Sequence, residues 1–548
     1  MRSVEALAMP GSRAGTPPIW SGMYAMDYDP IRLEVFKNLL SGIAEEMGVT
    51  LCRTAFSPNI KERKDFSCAL FDSAGHMIAQ AEHIPVHLGA MPMSVLHAIE
   101  QVDMQPGDGV LVNDPYGGGT HLPDITLVTP IFVDGLSRPA FFAANRAHHS
   151  DVGGMTPGSM PLSTEVFQEG IRIPPVKILV DGRIHHDLLR LILANVRTPR
   201  EREGDLTAQI AANRTGERRL RDVIAKYGMV EVVRYSDALQ RYAERMTRQV
   251  IADIPDGDYS CEDYMDDDGI SNTPVKLCVT VRVRGQDIDI DFRGSDPQVR
   301  GSVNANLAVT MSAVYYCIRT LATTQFPFNY GCMAPVNIIA DAGSVVNCVF
   351  PSAVAGGNVE TSQRIVDIVL GALHQARPDR VAAACSGTMN NVTVGGFDPR
   401  RGEHYTYYET IAGGTGGRPG LPGMHATHSH MTNTLNTPIE ALEHAFPFRI
   451  AQYAMRHGSG GPGEFAGGDG IIREIEFLGD AQVTMLSDRR IRQPYGLAGG
   501  APARSGENTL QHGTRRRRLP SKFNMRVEAG DRLRIATPGG GGYGTPQP

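Results

Sequence analysis

Residues 113–154 carry the most informative pattern in this chain. They begin Asn-Asp-Pro-Tyr-Gly-Gly-Gly-Thr-His-Leu-Pro-Asp and end Asn-Arg-Ala-His-His-Ser-Asp-Val-Gly-Gly. Two apolar segments, Ile125–Val133 and Pro139–Asn145, lie between these polar ends and are separated by Asp134-Gly135. β-Branched and aromatic residues on either side of an Asp-Gly pair predict an antiparallel hairpin.

The register of this hairpin predicts which polar residues meet. A ribbon that turns at residue 136 pairs Asp124 with His148, and it leaves His121 just beyond the same end. Imidazoles and a carboxylate that converge there suit a divalent metal ion with an open position. Turn hydrogen bonds in glycine-rich loops are the alternative explanation for the same residues. The hypothesis draws on seven metal-competent side chains, namely Asn113, Asp114, His121, Asp124, His148, His149 and Asp151.

Length and composition are those of a multi-domain enzyme. A chain of 548 residues, 41% hydrophobic and 20% charged, is long enough for two or three domains. The net charge of −6 argues against nucleic acid as a partner. No apolar run reaches the ~20 residues of a membrane-spanning helix. The eight cysteines contain no Cys-x-x-Cys pair, which is typical of reduced cysteines in a cytoplasmic protein.

The element pattern predicts an α+β protein with antiparallel and mixed sheets, glycine-rich loops and a long helical segment in the middle. Asp29-Pro30 predicts the start of a helix, because Asp is a common N-cap and proline fits the first turn. Charged residues 200–252 contain no proline and predict one or two long surface helices. We expect five parts: a disordered leader (1–24), a metal-binding α+β domain (25–198), a helical segment (199–255), a central α+β domain (256–440) and a β-rich C-terminal domain (441–548).

Local patterns also predict one further helix and two pairs of strands. Residues 361–375 predict a helix capped by Thr361 or Ser362. Alternating apolar residues predict paired strands at 277–283 and 287–292, and again at 473–478 and 482–486, the second pair joined by Gly479-Asp480.

Two other groups of histidines are candidate pocket residues. His83 and His87 flank Pro85, which argues against a shared helical face, so either a pocket or turn hydrogen bonds explain them. His428 and His430 would share one face of a strand beside His425. A second metal site and a polar network that braces the glycine loops both remain open there. No Gly-Lys pair occurs, so a Walker A loop is excluded, and any ATP is bound by another chain.

Several segments in order resemble one known family. They are residues 60–63 and 65–67, His83–Gly89, the 113–154 stretch, Gly357–Arg364, Gly413–Gly417, His428–Thr434, Ser487–Arg489 and Pro538–Gly544. These segments are similar to the hydantoinase B family, which includes one of the two chains of N-methylhydantoinases, the carboxyl-terminal half of 5-oxoprolinases and chains of ketone carboxylases.

The resemblance implies a machine in two parts. A partner chain of the hydantoinase A type, in a heterotetramer or similar assembly, would bind ATP and phosphorylate the lactam oxygen of a small-molecule substrate. This chain would hold the metal through Asp65, His121, Asp124 and His148, with Asp65 implied by the resemblance alone. Zinc is the expected ion, with iron or manganese as alternatives.

The leading functional hypothesis is one chain of a cyclic amide hydrolase that opens hydantoin, 5-oxoproline or lactam rings. A metal-activated water would attack the phosphorylated amide carbon, and His149, Asp151 or Asp114 would accept a proton or orient a ligand. A chain of a ketone carboxylase is the first alternative. A non-catalytic scaffold with a structural metal is the second.

Overall fold

The computed structural model describes residues 28–81 and 84–546, so the predicted leader and His83 lie outside the described residues. The expectation of an α+β fold is confirmed, because four mostly antiparallel sheets alternate with helices along the described ranges. The proposed domain boundaries stay predictions. None of the helices in this part of the chain is both long and apolar enough to cross a membrane.

A seven-stranded sheet forms the N-terminal part, and its strands lie in the order 77–80, 66–72, 141–148, 124–131, 109–112, 176–180 and 183–184. Alternate residues of one strand face opposite sides, because side chains in a strand have a period of two. Cys68 and Leu70 face one apolar cluster, whereas Ala69 and Phe71 face another. The elements of this part are α1 (Pro30–Thr54), α2 (Pro58–Lys61), β1 (Phe66–Asp72), β2 (Met77–Gln80), α3 (His87–Gln101), β3 (Gly109–Val112), β4 (Asp124–Ile131), β5 (Phe141–His148), β6 (Val176–Val180), β7 (Arg183–Ile184) and α4 (His186–Ala194).

Two long helices follow, α5 (Pro199–Tyr227) and α6 (Met229–Ala252), as predicted for this segment. The expectation that they are surface helices is wrong for α5, which buries a row of polar side chains against β4 and β5. Gln209 Nε2 donates to the Ile125 carbonyl oxygen at 2.9 Å, and Asn213 Nδ2 donates to that of Leu127 at 3.0 Å. Sequence periodicity did not reveal this face because its residues are polar.

The middle of the chain forms a four-stranded sheet whose strands lie in the order 336–339, 287–291, 275–284 and 257–265. The predicted pairing of 277–283 with 287–292 is confirmed. The predicted helix at 361–375 is also confirmed, although one turn of π-helix, Gly357–Thr361, precedes it. The elements are β8 (Gly257–Met265), β9 (Val275–Arg284), β10 (Asp287–Asp291), α7 (Leu307–Thr320), β11 (Val336–Ile339) and α8 (Ser362–Ala376).

The C-terminal part contains two packed sheets, of four and five strands. The strands predicted around Gly479-Asp480 exist but do not pair with each other: Gly470–Phe477 joins the five-stranded sheet and Ala481–Leu486 the four-stranded one. The turn therefore links two sheets of a sandwich. The elements are β12 (Asn391–Asp398), β13 (Glu403–Glu409), α9 (Ile439–Ala445), β14 (Phe448–Arg456), β15 (Gly470–Phe477), β16 (Ala481–Leu486), β17 (Glu507–His512), β18 (Arg515–Leu519), β19 (Lys522–Val527) and β20 (Arg532–Ala536).

Glycine-rich loops pack on one another beside this sandwich. Gly540 N–H donates to the Gly468 carbonyl oxygen at 2.9 Å, and Gly468 N–H donates to that of Thr415 at 2.8 Å. A Cβ on Gly540 would lie 2.0 Å from the Thr415 oxygen, so only glycine permits this approach.

Candidate metal centre

The predicted hairpin forms with the predicted register. Asp124, the first residue of β4, is the Cα partner of His148, the last residue of β5. The ribbon is antiparallel throughout, and both of its strands are fully buried. Three groups meet at this end, because His121 lies just before β4.

The donor atoms of this triad form a small triangle. His121 Nε2 lies 3.1 Å from Asp124 Oδ1 and 3.2 Å from His148 Nδ1, and His148 Nδ1 lies 3.0 Å from the same carboxylate oxygen. Each of the three side chains is at most 2% exposed. Among the described residues, this is the group of His, Cys, Asp and Glu side chains close enough together to hold a metal ion.

The residues fit a metal ion by both spacing and space. Ligands about 2.0–2.1 Å from zinc at tetrahedral angles lie about 3.3 Å from one another, close to the separations above. The cavity against the triad measures about 20 Å³, which is room for one ion or one water molecule. The chemistry of the donors, two imidazoles and carboxylate oxygen, suits zinc, iron or manganese.

Burial sets the charges of these groups. It lowers the pKa of His148 and of His87, although the carboxylate of Asp124 opposes this effect. Burial by itself would raise the pKa of Asp124, but the field of His121 and hydrogen bonds from the imidazoles hold it well below its ordinary value. A neutral imidazole and an ionised carboxylate are the forms that bind metals.

Asp65 lies beside His148 on the side opposite Asp124. Phe66 is the partner of Ala147 in the pairing of β1 with β5, and the His148 N–H donates to the Asp65 carbonyl oxygen at 3.0 Å. Asp65, His148 and Asp124 therefore follow one another across three adjacent strands and line the same cavity. No local pattern of the sequence could have singled out Asp65, because its place depends on the pairing of 66–72 with 141–147.

His87, which the sequence indicated only as a candidate pocket residue, lies beside Asp124. It is the first residue of α3, and its Nε2 lies 3.6 Å from Asp124 Oδ2. Its Nδ1 lies 2.8 Å from the Ser67 hydroxyl. Thr120, which the sequence did not indicate, donates a short hydrogen bond to Asp124 Oδ2. These contacts fix the carboxylate from both sides.

An aromatic wall closes the cavity. The ring of Tyr408 stacks on His148 with 4.2 Å between centroids, and its hydroxyl donates to Asn391 at 2.9 Å. The Arg63 guanidinium also lies over the Tyr408 ring, 4.9 Å from its centroid. Ordered packing of this kind restricts the orientation of His148.

A larger cavity of about 470 Å³ shares a lining residue with the cavity beside Asp124 and His148. Ile84 lines both cavities, and Ser67, the partner of His87, lines the larger one. This volume is in the range of small-molecule sites. The other polar lining residues are Gln80, Tyr316, Arg319, Thr320, Thr323, Thr324, Gln325 and Asn433.

The three residues considered for proton transfer, His149, Asp151 and Asp114, have their hydrogen-bond partners outside the triad. His149 Nε2 lies 2.9 Å from Gln209 Oε1 on α5, and burial lowers its pKa to about 4. Asp151 accepts hydrogen bonds from the backbone of its own loop and from Arg197. Asp114 caps a short 3₁₀ turn by accepting from Tyr116 N–H at 3.1 Å. Their catalytic roles stay predictions.

His425, His428 and His430, the second histidine group, do not meet at one site. The expectation that His428 and His430 share a strand face is wrong, because this segment is a turn in which His430 has a φ of 57°. His430 Nε2 lies 3.6 Å from Asp367, while His428 lies in the field of Arg63. His425 Nδ1 accepts from Asp469 N–H at 2.8 Å.

The fold and the buried triad define an α+β protein with a candidate divalent-metal centre. Residues 29–546 match the family model described as hydantoinase B/oxoprolinase, and the chain belongs to this family. It is 40% identical to a 5-oxoprolinase of Dictyostelium discoideum over 94% of its own length and 40% of that protein. It is 32% identical to a B-type chain of a putative D-/L-hydantoinase from a Pseudomonas species, over 94% and 90% of the two chains.

Solved structures share the fold. The ATP-dependent caprolactamase of Pseudomonas jessenii superposes with a TM-score of 0.88 and 29% identity, over 95% of this chain and 92% of that one. An acetone carboxylase superposes with a TM-score of 0.87 over 94% and 76% of the chains, and at 19% identity this likeness concerns the fold alone.

Proposed function

We propose that this chain is the metal-bearing part of an ATP-dependent enzyme that opens cyclic amides of the hydantoin, 5-oxoproline or lactam type. The observation that carries the proposal is the buried triangle of His121, Asp124 and His148, with donor atoms 3.0–3.2 Å apart. The family supports it, because 5-oxoprolinases and a hydantoinase chain are among the curated relatives.

A divalent ion held by His121, Asp124 and His148 would supply Lewis acidity, which would polarise a carbonyl group and lower the pKa of water. The chain's own residues do the rest. Asp124 stays ionised, and the buried imidazole of His148 stays neutral, so both keep their metal-binding forms. Tyr408 and Met431 close the cavity and exclude bulk water, which strengthens the local electrostatic interactions.

The 470 Å³ cavity is the proposed place for the ring substrate. The metal cavity of about 20 Å³ is too small for a ring, whereas the larger cavity has the volume for one and shares the lining residue Ile84 with the metal cavity. Hydroxyl and amide side chains line the larger cavity and match the donors and acceptors of a cyclic amide.

ATP is proposed to bind to a separate chain of the hydantoinase A type. The present chain spans about two fifths of the length of the 5-oxoprolinases it matches, and nine tenths of the B-type hydantoinase chain. Because a B-type chain implies a second chain beside it, we expect activation of the amide by phosphorylation in the partner and ring opening at the metal centre here.

The test is a reconstituted assay of this chain with an A-type partner, ATP and manganese or zinc. 5-Oxoproline, hydantoin, caprolactam and the ketone acetone are supplied separately, with and without bicarbonate, and ring-opened product, carboxylated product and ADP are measured. Ring opening that needs both chains and is lost in Asp124→Ala supports the proposal. Carboxylation of a ketone in place of hydrolysis, or full activity in Asp124→Ala, contradicts it.

A further inference from the structure

A carboxamide side chain faces the triad from outside the ribbon. Asn358 lies in the π-helix Gly357–Thr361 and is 5% exposed. Its Nδ2 lies 3.1 Å from Nε2 of His121. Its Oδ1 is buried and has no hydrogen-bond partner among the residues that the structure describes.

The backbone holds Asn358 in this position. A Cβ on Gly357 would lie 1.8 Å from the Asn304 carbonyl oxygen, so the π-turn is pressed against the segment that contains Asn304. The Asn358 carbonyl oxygen accepts from the Ser362 hydroxyl at 2.7 Å, which ties the turn to α8. π-Turns are frequent at functional sites. Here the turn directs the carboxamide into the cavity that Asp124 and His148 also line.

The two ends of a carboxamide differ in chemistry but hardly in shape. Its nitrogen donates hydrogen bonds and cannot bind a cation, whereas its oxygen is a common ligand of divalent ions. A half-turn of the group would bring Oδ1 close to the place of Nδ2, 3.1 Å from His121 Nε2. That separation equals the 3.1 Å between His121 Nε2 and Asp124 Oδ1.

We propose that Asn358 binds the divalent ion through Oδ1, as a ligand beyond the histidines and aspartates. The inference rests on the metal centre of the proposed function. It explains why a buried amide oxygen with no partner among the described residues stands at this cavity, since most buried polar atoms of folded proteins find partners. An amide oxygen also makes the donor set harder and favours manganese or iron relative to zinc.

The competing role for Asn358 is to orient His121 by donating an N–H to its ring. Two variants separate these roles. Asn358→Leu removes both oxygen and N–H, whereas Asn358→Asp keeps an oxygen ligand but cannot donate. Manganese(II) dissociation constants are measured by calorimetry on the metal-stripped chain, without substrate or partner, and melting temperatures of the stripped variants report folding.

If Asn358 is a ligand, we expect Asn358→Leu to bind manganese about 100-fold more weakly and Asn358→Asp to bind within about threefold of wild type or more tightly. The visible absorption of the cobalt(II)-loaded protein should also change in Asn358→Leu, because its intensity follows coordination number. Gln363→Glu is the matched control: this buried amide also has an unpartnered oxygen, but its nitrogen contacts Ser429 at 3.2 Å. It adds the same charge on the next helical turn and should leave the affinity unchanged.

Three results would overturn the inference. Equal weakening in both Asn358 variants would assign it to positioning of His121. An unchanged manganese affinity in Asn358→Leu would show that Asn358 is not a ligand. Tighter manganese binding by Gln363→Glu would show that any tighter binding by Asn358→Asp comes from the added charge alone. A wild-type chain that binds no manganese, cobalt or zinc would instead refute the metal centre itself, and so the proposed function with it.

Discussion

Two regions of this molecule are rich in histidine, yet only one brings its side chains together. In residues 121–148 the polar groups stand at one end of an antiparallel ribbon, and their donor atoms lie 3.0–3.2 Å apart. In residues 425–430 the three histidines have three separate environments, with Asp469 beside His425 and Asp367 beside His430.

The difference lies in what fixes the backbone. Strand pairing sets which residues oppose each other, so Asp124 and His148 must meet once the hairpin forms. A turn makes no such demand. The positive φ of His430 is incompatible with the strand that would have put both rings on one face, and neighbouring elements then decide the partners of each ring.

The largest expected effect comes from a pair of alanine variants, one in each region. His121→Ala should lose the ion and, since metal assistance is worth several kcal/mol, reduce turnover by about 1,000-fold. His428→Ala should keep the ion, because His428 belongs neither to the triad nor to the lining of the metal cavity. Elemental analysis and the reconstituted assay measure both. Equal metal loss in the two variants would break the distinction between the regions.

A medium effect on stability is expected at His430. Burial by itself would lower its pKa, but Cys385 and Asp367 raise it well above the ordinary value. His430→Asn should therefore lower the free energy of unfolding by about 1–3 kcal/mol near pH 6, with no loss of metal. Asparagine accepts the positive φ more readily than histidine, so this variant tests the ion pair and not the turn.

The difference in the free energy of unfolding between wild type and His430→Asn should depend on pH. Because the folded-state pKa is raised, the stabilisation is complete below the unfolded pKa of about 6.5 and is lost as the pH rises through the folded-state value. Urea unfolding of wild type and His430→Asn at increasing pH should give converging free energies. A gap that widens toward alkaline pH would show that His430 is neutral in the folded protein.

The smallest effect is expected at His149, the neighbour of His148 in sequence. Its ring faces Gln209, and burial lowers its pKa to about 4, so it is neutral above about pH 5. His149→Gln should leave manganese affinity within about threefold, as expected for a residue that does not contact the triad. Calorimetry on the stripped variant measures this. A loss as large as that of His121→Ala would mean that the strand end is rearranged.

Part of the metal centre could be predicted from the sequence, namely the pairing of Asp124 with His148. The register from Asp124 to His148 was predictable because both strands belong to one hairpin, joined by residues 132–140 with Asp134-Gly135 as the turn signal. Asp65 needed the pairing of β1 with β5, which brings together residues about 80 positions apart, and sequence periodicity does not encode such a partner. Asn358 needed the packing of α8 and its π-turn against the N-terminal sheet.

The contrast between local patterns and distant packing also applies to the C-terminal strands and the long helices. Alternation placed strands on both sides of Gly479-Asp480, but their assignment to two different sheets depends on which faces pack. The polar face of α5 was hidden because Gln209 and Asn213 resemble surface residues until backbone oxygen atoms are placed opposite them.

The sequence by itself determined the family, the ribbon with its register, and the meeting of His121, Asp124 and His148. These depend on local patterns, since apolar alternation and turn residues act over a few positions. The tertiary structure alone decided that His87 and Asn358 face the triad and that His428 and His430 have separate surroundings. It also decided that a 470 Å³ cavity shares Ile84 with the metal cavity. Those features depend on distant segments packing together, and only the folded chain brings such segments into contact.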